Sequence, residues 1–497
     1  MTMRAMPDAV SHPYLDGRPK GHFINGKSVS ALSGETFDTI NPATGDVIGA
    51  LAKGDAADVD IAVKAARAAF EGPWSRWTPY QRQTLLYRIH ELIDRHYDEL
   101  ARLETIDMGA PIARTGAFRN FILQAILFYA SQAGNISGET LQNSLPGNIT
   151  TLNLRAPVGV IGGIIPWNGP LIGQWWVLGC VLASGCTVVL KPAEDASLSV
   201  LRTAELLSEA GVPDGVVNVV TGYGATAGAA LARHPGVDRV AFTGSTETGR
   251  KIIEASAVNI KRLQLELGGK SPDIVFADAD LDAAVPGAAM GVFSNSGQIC
   301  YAGTRVFVER KIQEEFVERV AAFGRALKVG NGIDPQIQLG PLISQKQLDK
   351  VLGYINSAEG EGAVLSAGGG RLGGDLAGGF FVEPTVYSNV TNDMRIAREE
   401  IFGPVMSVIP FDDADQALRL ANDTPYGLGS AVWTRDVSRV LKMANGIKAG
   451  TVWVNCYGMV DPSVGFGGVK MSGYGVKGGR HHLDAFLYQK TIYINGA

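Results

Sequence analysis

The sequence predicts an α/β protein: a doubly wound parallel sheet, a second α/β unit after it, and a small β element on the side. Three observations carry this. Apolar strands begin near Val158 (VGVIGGII), Thr187 (TVVLKP), Val216 (VVNVVTG) and Arg239 (RVAFTG), at spacings of roughly 23 to 29 residues, the length of a βαβ crossover. The 62 glycines among 497 residues exceed the usual share of roughly 7%, as many tight strand-to-helix turns require. Shorter strands then recur at Arg305 to Glu309, Val405 to Pro410 and Thr451 to Val454, with helical stretches between them.

In chain order, helical patterns at 56–70 and 79–103 are expected to cover the first sheet. The segment Gly134 to Arg155, with alternating Thr151, Leu152, Asn153 and Leu154, and the terminal Tyr488 to Ile494 both read as solvent-facing strands. Such strands are a liability unless something covers them. Ala156 to Leu190 carries no charge and is long enough to cross a bilayer, but Pro157, Pro166 and Pro170 divide it. It reads instead as a buried parallel strand, a sharp turn and a core helix. Between the second and third strands, Leu198, Leu201, Ala204 and Leu207 share one helix face, with Gly211 and Pro213 as its stop signals. Leu281 to Ser294 is also expected to be helical. In such a sheet a ligand belongs at the carboxyl ends of the strands.

Composition narrows the function. Hydrophobic residues at 46% and charged residues at 19% are those of a folded globular chain. With 44 Lys plus Arg against 49 Asp plus Glu and no long basic run, nucleic acid is not an expected partner. The first twenty residues, with Arg4, Asp8, Asp16 and Arg18, show no export or transit pattern. Four cysteines without disulfide or zinc spacing point to a reducing cytosol and no metal, and the seven histidines are scattered.

No single motif decides the chemistry. Gly222, Gly224 and Gly228 form GxGxxxG, which serves a tight turn as readily as a dinucleotide. GGKS at 268–271 is not a phosphate loop, because the glycine it requires is Gln264. A free cysteine is usually a small buried hydrophobe, and Cys180, Cys186 and Cys456 take that reading. Cys300 differs, because Asn295-Ser296-Gly297-Gln298-Ile299 sets it after a polar turn that could face a cleft.

Pro166-Trp167-Asn168, Lys191-Pro192-Ala193-Glu194, FTGST (242–246), LELGGKSP (265–272), Gly297-Gln298-x-Cys300 and EEIFGP (399–404) stand in one order across the chain. In this set the chain resembles the aldehyde dehydrogenase superfamily. The resemblance implies a Rossmann-like NAD-binding domain (20–133 and 156–269), a catalytic domain (270–468) and a bridging, oligomerising element (134–155 and 480–497). It implies NAD-dependent oxidation of an aldehyde to an acid, with Cys300 as nucleophile, Asn168 as oxyanion donor and Glu266 as the base that activates water. Glu266 matters further, since relatives that pass the acyl group to coenzyme A or phosphate generally lack it. Ile164, Ile165, Pro166, Trp167, Lys191, Glu194, Gly224, Gly244, Ser245, Glu400 and Phe402 match cofactor positions. Glu194 is expected to accept from a ribose 2′-hydroxyl and to repel a 2′-phosphate. Substrate positions match Gly169, Gly173, Trp176 and Phe466; the two glycines replace bulky residues, which either widens a tunnel for larger, even aromatic, aldehydes or lets elements pack closely. A cytoplasmic homodimer or homotetramer is implied, with the 134–155 hairpin and the C-terminal strand pairing across subunits.

Overall fold

The computed structural model describes residues 12–496; residues 1–11, on which the absence of a targeting pattern was largely read, and residue 497 lie outside them. The first sheet has eight strands in the order Gly473–Tyr474, Arg262–Glu266, Arg239–Thr243, Val160–Ile165, Thr187–Pro192, Val217–Val219, His22–Ile24 and Lys27–Val29. Its five inner strands are parallel and its edges antiparallel. The chain runs outward from Val160–Ile165 to Val217–Val219, then returns to the other side of Val160–Ile165 for Arg239–Thr243 and Arg262–Glu266. The order therefore reverses between Val160–Ile165 and Arg239–Thr243, which is where a doubly wound sheet opens a crevice.

Burial on both faces accounts for the uninterrupted apolar strands: all six residues of Thr187–Pro192 are buried. The charge-free stretch ends in Trp175–Ser184, a helix almost wholly buried against Pro79–Arg95 and Arg119–Ala133. Among the described residues no helix is long and apolar enough to cross a membrane. Leu198–Glu209 forms as expected, with Leu198, Leu201, Ala204 and Leu207 facing inward.

The helix expected over 79–103 is two helices, Pro79–Arg95 and Tyr97–Met108. His96 leaves the helical region (φ −99°, ψ 8°), and its Nδ1 meets Glu99 Oε2 at 2.8 Å. Apolar spacing misses the break because Leu92, Ile93, Tyr97 and Leu100 remain buried across it. Two buried carboxylates in the second helix tie it to the sheet's loops. Glu104 accepts from Leu171 N at 2.6 Å and Ser199 Oγ at 3.1 Å, and Asp107 accepts from Leu198 N at 2.9 Å and Thr39 Oγ1 at 2.8 Å.

A second, seven-stranded sheet runs Val364–Ala367, Thr385–Ser388, Val405–Phe411, Arg305–Glu309, Pro272–Val275, Ala431–Trp433, Trp453–Val454, parallel except for Val364–Ala367. Pro272–Val275, Thr385–Ser388 and Ala431–Trp433 were not read as strands; at three or four residues each they are too short to show a period. Arg305 is buried at the start of this sheet's central strand and donates to Lys270 O (3.0 Å), Asn392 Oδ1 (3.0 Å), Leu420 O (3.0 Å) and Ala421 O (2.9 Å).

The third sheet corrects one expectation. Ile149–Pro157 pairs with Glu139–Leu141 on one side and with Leu487–Asn495 on the other, the latter in register from Pro157↔Leu487 to Ile149↔Asn495. Hairpin and C-terminal strand thus pair within one chain rather than across subunits. The sheet's two outer strands, Glu139–Leu141 and Leu487–Asn495, each leave an edge open, the latter with Tyr493 and Ile494 exposed.

Replacing Arg305 with Met removes the donor to Lys270 O, Ala421 O and Asn392 Oδ1, whereas Leu420 O keeps Asp423 N at 3.2 Å, so Arg305→Met is expected to cost about 3 kcal/mol or more. Thermal denaturation should show a midpoint several degrees lower; an unchanged midpoint would mean that these bonds contribute nothing net.

Candidate active site

The carboxyl ends of the first sheet's inner strands converge on the start of the second sheet. Glu266 is the last residue of Arg262–Glu266 and is 3% exposed. Its Oε1 has no hydrogen-bond partner, and its nearest cation is Lys477, with Nζ 4.0 Å from Oε2. Burial pushes the carboxyl up to about 7, and Lys477 opposes that rise.

Cys300 lies in the loop between the helix Leu281–Phe293 and the strand Arg305–Glu309. The approach to it is strained: Asn295, Ser296 and Gly297 all sit in the left-handed region, at φ 54°, 55° and 71°. Such positions cost on the order of 1 kcal/mol each for residues with a side chain. Gln298 holds the turn, donating from Nε2 to Asn295 O (3.1 Å) and accepting from Ile343 N (2.9 Å) through Oε1. Gly297 lies against the backbone of Gly403 so closely that a Cβ would sit 2.0 Å from its carbonyl oxygen. The pairing of Gly297-Gln298-x-Cys300 with EEIFGP is therefore physical contact between two loops.

Asn168 follows Val160–Ile165, and its Nδ2 donates to Gln298 O at 2.9 Å, an oxygen also approached by Asn295 Nδ2 at 3.2 Å. One amide hydrogen of Asn168 is thus anchored to the loop carrying Cys300 while the second remains available. Cys300 is half-buried, and its thiol is pushed up to about 12, first by burial and then by the Glu266 charge. Glu400 caps the opposite side, where Oε1 accepts from Gly269 N at 3.0 Å.

The expected cofactor positions line the same strand ends. Lys191 is the penultimate residue of Thr187–Pro192; its side chain is 2% exposed and its Nζ meets Glu194 Oε2 at 2.9 Å. Glu194 also accepts from Gly224 N at 3.2 Å, so the glycine-rich turn closes over this pair. The burial of the ammonium separates this pair from an ordinary surface ion pair. Ser245 caps the helix Thr246–Ser256, accepting from Thr248 N at 3.2 Å. Gly244 N donates to Glu266 O at 3.1 Å, linking that cap to the candidate base. Trp167 and Phe402 meet edge to face at 5.3 Å, with Phe402 at φ 60° and its carbonyl held by Gln347 Nε2 at 2.7 Å. Ile164 and Ile165 end their strand opposite Lys191 and Pro192.

On the substrate side, Gly173, Trp176, Ile165, Thr243, Lys477 and His482 border a narrow cavity. Gly169 precedes the helical turn Pro170–Gly173 instead of sharing its face with Gly173. A Cβ on Gly173 would lie 2.9 Å from Ile165 Cγ2, so this glycine admits close packing against the strand as well as bordering the cavity. Phe466 meets Tyr301 edge to face, and Trp453 and Tyr457 continue that cluster of rings next to Cys300. Sequence reading missed Tyr301, Trp453, Tyr457, Gln347 and Lys477; Trp453 stands in an expected strand that carries no site signal, and the others stand in no patterned stretch. Cys180 and Cys186 are buried as expected, whereas Cys456 is half-buried because it follows the last strand of the second sheet.

Fold and site together define a doubly wound α/β enzyme with a thiol, an amide and an unbonded carboxylate gathered at a sheet crevice. The chain belongs to the aldehyde dehydrogenase family, whose model, described as "Aldehyde dehydrogenase family", matches residues 29–492. It is 47% identical over 474 residues to the cytosolic aldehyde dehydrogenase 1 of Rattus norvegicus, covering 95% of this chain and 94% of that one. It is 45% identical over 474 residues to the mitochondrial benzaldehyde dehydrogenase of Antirrhinum majus, covering 94% and 88%. Among solved structures, the NAD+ complex of Bacillus cereus aldehyde dehydrogenase superposes with a TM-score of 0.94 at 45% identity, covering 97% of each chain. The protein is thus an oxidoreductase of the aldehyde dehydrogenase class.

With its thiol disfavoured as thiolate, Cys300 should be alkylated by iodoacetamide at a rate that climbs about tenfold per pH unit, without a plateau between about pH 7 and 10. Peptide mass spectrometry separates it from half-buried Cys456. A plateau near neutrality would show that the thiolate is stabilised in the free protein.

Proposed function

We propose that this protein oxidises aldehydes to carboxylic acids with NAD, through a thioester on Cys300 that water hydrolyses. The observation that carries this is the buried carboxylate of Glu266, whose Oε1 is left without a bond beside the thiol's loop. A structural carboxylate in so dry a place would be hydrogen-bonded, whereas a general base must keep a lone pair free.

The cofactor fits the donor set. Glu194, held by buried Lys191 and by Gly224 N–H, presents a carboxylate where ribose hydroxyls would donate. Two strands along, the N-terminus of Thr246–Ser256 offers helix-end N–H groups suited to a pyrophosphate. Trp167, Glu400 and Phe402 would flank the nicotinamide end, which supplies the hydride acceptor when bound.

Cys300 Sγ bonds to the aldehyde carbon and the carbonyl oxygen becomes an oxyanion. Burial disfavours the Cys300 thiolate, so the thiol proton leaves to solvent as the bond forms, and Glu266 stays unprotonated for the later step. The free amide hydrogen of Asn168 and the Cys300 N–H stabilise the oxyanion, a contribution of about 3 to 4 kcal/mol per donor. Once the carbon has lost its hydride the acyl group is a thioester. Glu266 then takes a proton from water, the hydroxide adds to the thioester carbon, the C–S bond breaks as the acid is released, and the departing Cys300 sulfur takes that proton from Glu266. The presence of Glu266 is also what favours hydrolysis over transfer of the acyl group to coenzyme A.

Site residues and domain limits are proposed as read from the sequence: cofactor binding by 20–133 and 156–269, catalysis by 270–468, and assembly through 134–155 and 480–497. The open outer edge of Leu487–Asn495 is where a second subunit would add, as a homodimer or a homotetramer. Free, buried Cys180 and Cys186 suit a reducing compartment such as the cytosol. Gly169 and Gly173, standing where relatives carry bulky side chains, would make room for bulky or aromatic aldehydes, and the Antirrhinum majus relative is named for one.

Glu266→Gln is expected to release a single burst of NADH and then stall as thioester; sustained wild-type turnover would remove the assigned base. The wild-type steady rate should fall as pH drops below about 7, where Glu266 takes up its proton. Glu194→Gln, which removes a charge hostile to a 2′-phosphate, should raise the NADP-to-NAD ratio of kcat/KM by about tenfold or more, and an unmoved ratio would refute that role.

A further inference from the structure

Beside the candidate base stands a cation that the proposed reaction leaves unused. Lys477 follows the antiparallel edge strand Gly473–Tyr474, which pairs with Arg262–Glu266. Its N–H and C=O both pair with Phe466 at 2.7 Å, which fixes its backbone beside an expected substrate residue. The side chain runs inward, is 14% exposed, and borders the cavity with Gly173, Trp176 and His482. Its Nζ donates to Thr243 Oγ1 at 2.8 Å and stands 4.0 Å from Glu266 Oε2, while Oε1 has no partner.

We propose that Lys477 is a positioning residue for thioester hydrolysis, holding Glu266 ionised from the Oε2 side without a short bond that would fix it in place. The inference rests on the assignment of Glu266 as the base. A carboxyl buried without hydrogen bonds prefers to be neutral, and a neutral acid cannot take a proton. Close ion pairing would overcorrect, because a short bond would leave a weak base fixed in place. With Thr243 taking one of its N–H groups, the ammonium supplies a field at 4.0 Å without a short bond.

The other charges around this point do not replace it. Cys300 faces Glu266 from the catalytic loop and Glu400 acts on that thiol from the far side. His482, on Arg480–Asp484, faces Lys477 and is kept neutral by burial, with Arg239 behind it and Lys477 reinforcing the effect. Among the described residues, none of these groups sets a second cation against Glu266.

Lys477→Met, Lys477→Arg and Glu266→Gln are compared by NADH burst amplitude and by the pH profile of the steady rate. Lys477→Met is expected to keep a full burst while the acid limb of its steady rate moves up by about one pH unit or more, and Lys477→Arg is expected to return most of that shift. A full burst with an unmoved acid limb in Lys477→Met overturns the proposal, as does a shift that arginine leaves uncorrected. Should the methionine variant not fold, Lys477→Gln is read in the same way. Glu266→Gln keeps the two ideas apart: steady turnover there removes the base itself, whereas a stalled Glu266→Gln beside an unshifted Lys477→Met removes only the lysine's part.

Discussion

Under the proposed function, a carboxylate that is to accept a proton has to be held in place without a short hydrogen bond, and the strands around Glu266 bear on that constraint. Glu266 meets it by ending an interior parallel strand, where the backbone fixes its direction and no side-chain bond is needed. Its own carbonyl is used, accepting from Gly244 N at 3.1 Å, so the strand end is rigid while one side-chain oxygen stays free. Dryness raises both the acid and the neighbouring thiol, and the two shifts share a cause: each charged form is unfavourable away from water. A site of this kind gains little from a pre-formed thiolate. It gains more from groups that respond as charge develops, such as the Asn168 amide and the Lys477 ammonium.

Much of the fold was legible because its signals are long. Six buried residues in Thr187–Pro192 and the faces of Leu198–Glu209 follow from burial period and stop residues alone. The second sheet was half-read, since strands such as Ala431–Trp433 are defined by their neighbours and not by any pattern of their own. The break at His96 was invisible because the apolar stripe continues through it. In the site, motif order picked out Cys300, Glu266, Asn168 and Glu194, and each lies at a strand end or in a loop packed against one. Order could not pair Gly297 with Gly403, nor find Lys477, because both contacts join distant segments across the crevice.

The same crevice explains why the cofactor positions and the chemical ones are not separate regions. Val160–Ile165 leads to Trp167 and Asn168, Thr187–Pro192 to Glu194, Arg239–Thr243 to Ser245, and Arg262–Glu266 to the base. These four strands are neighbours in one sheet, and the reversal of chain order falls between the first and the third. Helices on both faces separate the loops there, so the ends of a long ligand can spread across adjacent strands while its reactive end faces the second sheet.

What remains is how a loop with three successive left-handed residues stays folded. Isolated, that conformation would relax, since Asn295 and Ser296 are each unfavourable there. Gln298 opposes the relaxation with bonds to Asn295 O and from Ile343 N, and Ser296 Oγ donates to Gly340 O at 2.7 Å. Each bond contributes on the order of 1 kcal/mol net, comparable with the strain at one residue. The balance is therefore close within the loop itself, and contact between Gly297 and Gly403 tips it. Gly403 follows Phe402, another left-handed residue, whose carbonyl is held by Gln347. Two strained loops thus brace each other, one carrying Cys300 and the other Glu400 and Phe402, so the thiol and the expected nicotinamide end are positioned by a single contact.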